Sequence, residues 1–342
     1  MNVQTPDPAR MQAQSPIPSQ PATQSAALDV QNLNVVYPLA GGRHVQAVTD
    51  LSFSVAAGQT LGLVGESGCG KSSAARAVMQ LPRPTAGKVL LGDVDLVKLK
   101  GAELQAARRR FQMIFQDPIA SLNPRQTVRQ ILASPLEIAG ERETAQVRDD
   151  RIVAILDLVG LNGAQALTRR PHEFSGGQCQ RISIARALIM RPDLLVCDEA
   201  VSALDVSVQA QTLNLLAELK QAFGLTMLFI SHDLAVVRHV SDRVAVMYLG
   251  MMCELSDATA LYQSPAHPYT RALIASVPDP DPDALRTSPQ LVQGELPSPM
   301  DPPSGCRFRT RCPLASARCA AEIPVMRQVA PGQQVACHHP LI

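Results

Sequence analysis

The sequence lacks an excess of charge of either sign. Its 31 Lys and Arg side chains are almost balanced by 30 Asp and Glu side chains, which leaves a formal net charge of +1. A strongly basic face typically draws a protein to nucleic acid or to an anionic membrane surface. We therefore expect no nucleic-acid partner and no global electrostatic attraction to a membrane.

Long apolar runs are also missing. No stretch approaches the roughly 18 apolar residues of a membrane-spanning helix, and the longest candidate, 244–253, has about half that length. The N-terminus has neither the basic region nor the apolar region of a secretory signal. These absences predict a cytosolic chain. Hydrophobic residues nevertheless make up 46% of the sequence, enough to bury a sizeable core.

An unbroken phosphate-binding loop of the type Gly-x-x-x-x-Gly-Lys-Ser is the most informative feature present. It consists of Gly65, Glu66, Ser67, Gly68, Cys69, Gly70, Lys71 and Ser72, and Ser73 follows it. The apolar segment 59–64 is typical of a buried parallel strand, and 73–80 favours a helix. Backbone N–H groups would wrap the phosphates, Lys71 would reach the β- and γ-phosphates, and Ser72 would ligate Mg²⁺. The alternative is a chance glycine turn, but the flanking segments favour a nucleoside triphosphate site.

Two adjacent carboxylates, Asp198 and Glu199, follow a second apolar strand at 193–197. If this strand runs parallel to the first, its carboxyl end opens beside the phosphate loop. Asp198 would then hold Mg²⁺ through water, and Glu199 would polarise the water that attacks the γ-phosphate. The alternative is a pair of solvated acids in a loop.

A second candidate phosphate-binding element lies between these two motifs and consists of Ser175, Gly176, Gly177 and Gln178. Ser175 is a good N-cap, and the start of the following helix offers open amides and a partial positive charge. The helix-rich stretch 127–190 would keep this element away from the phosphate loop of the same chain. Two chains facing each other head-to-tail would bring the two elements together.

Alternating strands and helices predict an α/β fold with a parallel sheet. We expect a disordered Pro- and Gln-rich tail at 1–27 and an ATPase domain at 28–277, with a helical subdomain at about 117–190. A C-terminal extension at 278–342 begins with a proline-rich connection, 278–305, that excludes a long helix. Its remainder is a small cysteine-bearing appendix, too short for a core of its own without a staple.

The motifs and their order resemble those of ATP-binding cassette (ABC) ATPases. The resemblance implies a P-loop NTPase fold with a parallel-sheet core, an antiparallel β subdomain and a helical subdomain. It assigns an adenine-stacking role to Tyr37 and phosphate sensing and a place near Mg²⁺ to Gln116. It also places Asp205 in the D-loop at the nucleotide interface. His232 would be the switch histidine that contacts the γ-phosphate and acts with Glu199, although a structural histidine is the ordinary alternative.

A narrower resemblance covers nearly the whole chain. Residues 116–124, 267–273 and 294–299 are similar to motifs of oligopeptide/dipeptide importer ATPases, above all the F-type subunits of oligopeptide permeases. This implies an ATP- and Mg²⁺-dependent ATPase, peripheral on the cytoplasmic face of the inner membrane. Its partners would be a second ATPase subunit, either a copy or a sibling, two transmembrane permease subunits and, indirectly, a periplasmic or extracellular peptide-binding protein. The alternative is a soluble ABC ATPase that acts on nucleic acid or the ribosome.

Four cysteines cluster near the end of the sequence: Cys306, Cys312, Cys319 and Cys337. In a reducing compartment such a cluster suggests metal ligands before disulfides. Structural zinc usually has more closely spaced pairs, whereas four thiolates can hold an iron–sulfur cluster. The family resemblance implies a [4Fe–4S] cluster, with zinc and free or oxidised thiols as alternatives. Four basic neighbours would offset the thiolate charge: Arg307, Arg309, Arg311 and Arg318.

Overall fold

Two β-sheets and the helices between their strands form the framework of the computed structural model, which describes residues 26–277 and 294–342. The strands are β1 (Ala26–Pro38), β2 (His44–Ala56), β3 (Thr60–Val64), β4 (Ala86–Leu91), β5 (Val94–Asp95), β6 (Phe111–Ile114), β7 (Leu194–Asp198), β8 (Thr226–Ile230), β9 (Arg243–Tyr248), β10 (Met251–Asp257), β11 (Arg327–Ala330) and β12 (Gln333–Val335). The helices are α1 (Lys71–Val78), α2 (Gly101–Ala107), α3 (Val128–Ile138), α4 (Ala145–Leu158), α5 (Gly163–Ala166), α6 (Gly176–Leu188), α7 (Val206–Phe223), α8 (Leu234–Val240), α9 (Ala258–Gln263), α10 (Pro268–Ala275) and α11 (Ala317–Ala321). Residues 1–25 of the tail predicted at 1–27, and residues 278–293 of the predicted connection, lie outside the described residues, whereas residues 26 and 27 belong to β1.

The larger sheet has the strand order β11-β12-β10-β9-β3-β8-β7-β6, and β9, β3, β8, β7 and β6 run parallel. Every residue of β3, β7 and β8 is buried, as expected for parallel strands covered on both faces. Side chains alternate between two cores: Leu194 and Val196 face one, while Leu195 and Cys197 face the other. The prediction of an α/β fold with a parallel-sheet core is confirmed.

The smaller sheet is antiparallel, with the order β2-β1-β4-β5. In its register Val30 pairs with both Phe53 and Val89. These residues are buried in the same core as Ala74 and Val78 of α1, so the sheet covers one face of the parallel core. The antiparallel part of the fold implied by the family resemblance is therefore present.

Side-chain caps delimit the helical region between β6 and β7. Thr127, Thr144 and Ser175 each precede a helix and accept a hydrogen bond from a backbone N–H three residues further on. Ile152 and Leu156, four residues apart on α4, are fully buried against the neighbouring helices. None of the helices in the described ranges is long and apolar enough to cross a membrane.

The cysteine-bearing C-terminal segment differs from the separate appendix that the sequence predicts. Strand β12 pairs with β10, with Val335 opposite Glu254, and thereby extends the larger sheet. The Phe308 side chain is 2% exposed and belongs to the main core. Residues 306–342 therefore share the core of the preceding part of the chain, and this is why they need no staple of their own.

Substitution of Phe308 tests how strongly the C-terminal segment is packed against the rest of the chain. The Phe308 ring lies 5.2 Å from the ring centroids of both Tyr248 and Tyr269. We expect Phe308→Ala to lower the free energy of unfolding by about 3 kcal/mol, because the substitution leaves a cavity in an aromatic cluster. Urea unfolding followed by circular dichroism measures the loss. The control is Ile323→Ala, whose side chain is 59% exposed and whose removal should cost under about 0.5 kcal/mol. Equal stabilities of the two variants would show that the segment is not docked.

Candidate functional site

A cleft of about 380 Å³ opens at the carboxyl end of β3. It is lined by Tyr37, Val45, Ala47, Ser67, Gly68, Gly70, Lys71, Ser72, Ser73, Gln116, Glu199 and Pro299. The carboxyl ends of β3, β7 and β6 meet here, because parallel strands end at one edge of the sheet. Half of the residues that the sequence assigns to nucleotide binding, eight of sixteen, thus line one cleft together with Glu199.

The phosphate loop needs its glycines because other chain segments approach it closely. Gly70 has φ of +103°, and a Cβ there would collide with the Ala47 carbonyl oxygen. The Lys71 side chain is buried, and its Nζ donates to the carbonyl oxygens of Gly65 at 2.8 Å and Glu66 at 2.9 Å. An ammonium ion held at the base of a glycine loop is a suitable partner for phosphate oxygens.

Ser72 and Asp198 form a pair of oxygen donors beside the loop. The Ser72 hydroxyl donates to Asp198 Oδ1 at 2.8 Å, and Arg76 Nε lies 4.0 Å from Oδ2. Burial raises the pKa of the Asp198 carboxyl above its ordinary value, and the contacts with Ser72 and Arg76 offset only part of that rise. A hydroxyl and a carboxylate are the kind of oxygen ligands that Mg²⁺ prefers, so the residues present fit this ion.

Glu199 is held at both of its carboxylate oxygens. Gln116 Nε2 donates to Oε2 at 2.8 Å, and His232 Nδ1 lies 3.3 Å from Oε1. The Glu199 backbone has φ of +50°, and its N–H donates to the Ile230 carbonyl at 3.0 Å. An unfavourable backbone conformation thus places the carboxylate at the mouth of the cleft, where it is able to polarise a water molecule.

Tyr37 lies on the apolar side of the cleft with Val45, Ala47 and Pro299. Pro299 is a lining residue that sequence reasoning missed, although segment 294–299 had been singled out as a family motif without a role. The Pro299 carbonyl accepts a hydrogen bond from the Gln46 N–H at 3.1 Å, which fixes the segment beside β2. A flat apolar wall of this kind suits a purine base.

The second candidate phosphate element is formed but does not line this cleft. Ser175 caps α6 through a reciprocal box, with Gln178 N–H donating to its Oγ at 3.3 Å and Ser175 N–H donating to Gln178 Oε1 at 2.9 Å. Gly177 packs against Val208 at the start of α7. The N-cap of α7 is Asp205, and a hydrogen bond from Ser207 lowers the pKa of its carboxyl. These residues, with Gly176, form a neighbouring surface of their own.

The metal prediction for the four cysteines is wrong. Within residues 26–277 and 294–342, no group of three or more His, Cys, Asp or Glu side chains is arranged to hold a metal ion. Partial burial raises the pKa of the Cys306 and Cys312 thiols and that of Cys337 to about 11. Neither the iron–sulfur cluster nor zinc is supported.

The four arginines expected to offset thiolate charge have other partners. Arg307 donates to the Leu249 carbonyl and to side chains of β2, and Arg309 donates to Ser304. Arg318 pairs with Glu322, and Arg311 pairs with Glu66 of the phosphate loop. The last of these contacts connects the C-terminal segment to the cleft.

The sequence matches two protein-family models and is similar to several known proteins. Residues 48–202 match the family model described as ABC transporter, and residues 253–319 match the one described as oligopeptide/dipeptide transporter, C-terminal region. A probable peptide ABC transporter ATP-binding protein of Sinorhizobium fredii is 52% identical over 92% of this chain and 90% of that protein. The oligopeptide transport ATP-binding protein OppF of Salmonella typhimurium is 51% identical over 87% of this chain and 92% of that protein.

Among solved structures, the chain is similar to a dimeric ATP-binding cassette in a post-hydrolysis state with ADP and phosphate bound. The TM-score is 0.62 and the sequence identity 26%, with 68% of this chain and 98% of that chain covered. The similarity therefore extends over about two thirds of the chain.

Proposed function

This chain belongs to the ATP-binding proteins of ABC peptide transporters, and from that premise we propose that it is the ATP-hydrolysing subunit of a bacterial peptide importer. Its family membership makes the chain an ATPase. The location of the ATPase site is supported by one observation. Lys71, the Ser72–Asp198 pair and Glu199 converge on one cleft, although they come from two separate parts of the chain, the start of α1 and the end of β7. Together these groups provide the charge, the metal ligands and the base that phosphoryl transfer to water requires.

Nucleotide binding uses the loop and the apolar wall. Backbone N–H groups of 65–72 and the Lys71 ammonium hold the phosphates, and Tyr37 stacks on the adenine. Ser72 would ligate Mg²⁺ and Asp198 would hold it through water; the ion would supply charge neutralisation at the phosphate oxygens. Gln116 lies within reach of both the cleft and Glu199, so its position depends on what the cleft contains.

Hydrolysis depends on Glu199. Its carboxylate accepts a proton from the attacking water, and the contacts from Gln116 and His232 hold it in the orientation that this step needs. The His232 side chain is 54% exposed, so it is available to a phosphate entering from the cleft side. This exposure favours the switch role over a structural one.

The complete site requires a second chain. Ser175, Gly176, Gly177, Gln178 and Asp205 lie outside the cleft, on a surface that offers the N-terminus of α6. Facing the phosphate loop of a partner, this surface would supply donors for the γ-phosphate. The similar cassette solved with ADP and phosphate is a dimer, which supports this arrangement.

The same proposal identifies the partners and the location. They are a second ATPase subunit, two transmembrane permease subunits and, indirectly, a peptide-binding protein outside the membrane. The chain would lie peripherally on the cytoplasmic face of that membrane. A soluble ABC ATPase acting on nucleic acid or the ribosome is not favoured, because the relatives at about half identity are named for peptide transport.

Phosphate release by the purified chain tests the two-chain site. We expect the rate per chain to rise with protein concentration, or on addition of a sibling subunit, because a single copy holds two half-sites that cannot meet. Ser175→Arg should lose turnover but still bind nucleotide, since Ser175 lies outside the cleft of its own chain. A rate per chain that is independent of concentration and of any sibling, and unaffected by Ser175→Arg, would refute the shared site.

A further inference from the structure

Arg311 of the C-terminal segment forms an ion pair with the phosphate loop, 245 positions away in sequence. Its Nη1 lies 2.8 Å from Oε2 and 3.0 Å from Oε1 of Glu66. The Arg311 side chain is only 8% exposed and the Glu66 side chain 26%. Water and salt screen such a shielded pair less than an exposed one, so it constrains the loop more strongly.

Glu66 is engaged at every polar group it has. Its N–H donates to the Tyr269 hydroxyl at 2.9 Å, and its carbonyl accepts from Lys71 Nζ at 2.9 Å and from the Cys69 N–H at 3.2 Å. Its carboxylate accepts from Arg311. The peptide that supports the Lys71 ammonium therefore belongs to the residue that Arg311 holds. A shift of the Glu66 side chain is transmitted to the position of the lysine.

An aromatic cluster fixes Arg311 itself. Its guanidinium lies 5.8 Å from the ring centroid of Tyr248 and donates to the Tyr248 hydroxyl at 3.4 Å. Phe308, three residues earlier, packs on Tyr248 and on Tyr269, which in turn contacts the Glu66 N–H. Burial alone would lower the pKa of Arg311, but the hydrogen bonds to Glu66 and Tyr248 raise it overall. The cation thus has little freedom to leave its place.

We propose that Arg311 is a positioning residue through which the C-terminal segment holds the phosphate loop in its nucleotide-binding conformation. Arg311 is not among the residues that line the cleft in the described part of the chain, so it acts through Glu66. The inference rests on the proposed nucleotide site. Its consequence is specific: loss of the pair weakens ATP binding and raises KM, whereas kcat at saturating ATP changes little.

The test is a titration of the full-length chain with mant-ATP and Mg²⁺, combined with steady-state phosphate release. We expect Arg311→Ala to raise the nucleotide Kd about 5- to 10-fold, the range typical of a coupling between neighbouring sites. The matched control is Arg318→Ala, which removes an arginine of the same segment from an exposed pair with Glu322. The control should bind mant-ATP with the affinity of the unsubstituted chain. An equal Kd for Arg311→Ala and its control, with both chains folded, overturns the proposal.

A double-mutant cycle separates positioning from general packing. Glu66→Ala should raise Kd to a similar extent, and adding Arg311→Ala to it should change Kd by less than about 2-fold, because the shared contact is already lost. Arg311→Lys keeps the charge and should give a Kd between those of the unsubstituted chain and Arg311→Ala. This variant tests the proposal if the alanine variant is too unstable to titrate. Independent, multiplicative effects of the two substitutions would show that Arg311 does not act through Glu66.

The outcomes distinguish this inference from the function on which it rests. If the unsubstituted chain fails to bind mant-ATP, the proposed nucleotide site is refuted. If that chain binds and hydrolyses ATP but the Arg311 and Glu66 substitutions leave Kd unchanged, only the positioning role is refuted. A fall in kcat without a change in Kd also contradicts it.

Discussion

Replacing Glu199 with glutamine should abolish steady-state ATP hydrolysis while leaving ATP binding intact. The amide keeps the size of the side chain and one oxygen that can still accept the hydrogen bond from Gln116, but it cannot accept the proton of the attacking water. Loss of a general base costs about 10²- to 10⁴-fold in rate. Because binding is retained and turnover lost, ATP should accumulate in the shared site and hold the two chains together.

Phosphate release and mant-ATP titration measure the two effects separately. Asp193→Asn is the matched control. Asp193 directly precedes β7, whereas Glu199 directly follows it, and the Asp193 carboxylate forms an exposed ion pair with Arg110. The control should hydrolyse ATP at the rate of the unsubstituted chain. Unimpaired hydrolysis by Glu199→Gln would show that another group activates the water.

The parallel core could be predicted from the sequence because its strands are short, apolar and buried on both faces. β3 (Thr60–Val64) and β7 (Leu194–Asp198) fall within one residue of the predicted segments 59–64 and 193–197, and every one of their residues is buried. β10 escaped prediction because Glu254 interrupts its apolar pattern. That side chain is fully buried and accepts hydrogen bonds from Ala266 N–H, His267 N–H and Gln333. The partners that make a buried carboxylate tolerable lie elsewhere in sequence, so the local pattern does not reveal them.

Part of the cleft could likewise be predicted from the sequence, and part of it could not. The phosphate loop and the Asp198–Glu199 pair are local motifs at strand ends, and parallel pairing brings them together without further information. Pro299 and Arg311 reach the site from a segment more than 200 residues away in sequence, and no periodicity encodes that contact. The cysteine prediction failed for a related reason: spacing along the sequence does not fix how the thiols are arranged in space, and no metal-binding group is found within residues 26–277 and 294–342.

Lys71→Ala should weaken nucleotide binding about 10- to 100-fold, the loss expected when one or two charge-assisted hydrogen bonds to phosphate are removed. The ammonium is buried and lies 2.8 Å from the Gly65 carbonyl oxygen and 2.9 Å from the Glu66 carbonyl oxygen. The Lys71 side chain is therefore already held against the phosphate loop. Its deletion also removes the Lys71 donor from the Gly65 carbonyl and leaves the Glu66 carbonyl with the Cys69 N–H, which lowers the order of the remaining phosphate ligands.

Isothermal titration of the full-length chain with ATP and Mg²⁺ measures this loss. Lys98→Ala is the control, because the Lys98 side chain is 77% exposed and its Nζ lies 3.5 Å from Oδ2 of Asp95 on the smaller sheet. Affinity should fall for Lys71→Ala alone, with the unfolding midpoints of both variants above the temperature of the titration. Because Lys71 supports the same peptide that Arg311 holds, Arg311→Ala should add little to Lys71→Ala. Unchanged affinity for Lys71→Ala would mean that the loop amides alone bind the phosphates, and the ammonium would then have only a structural role.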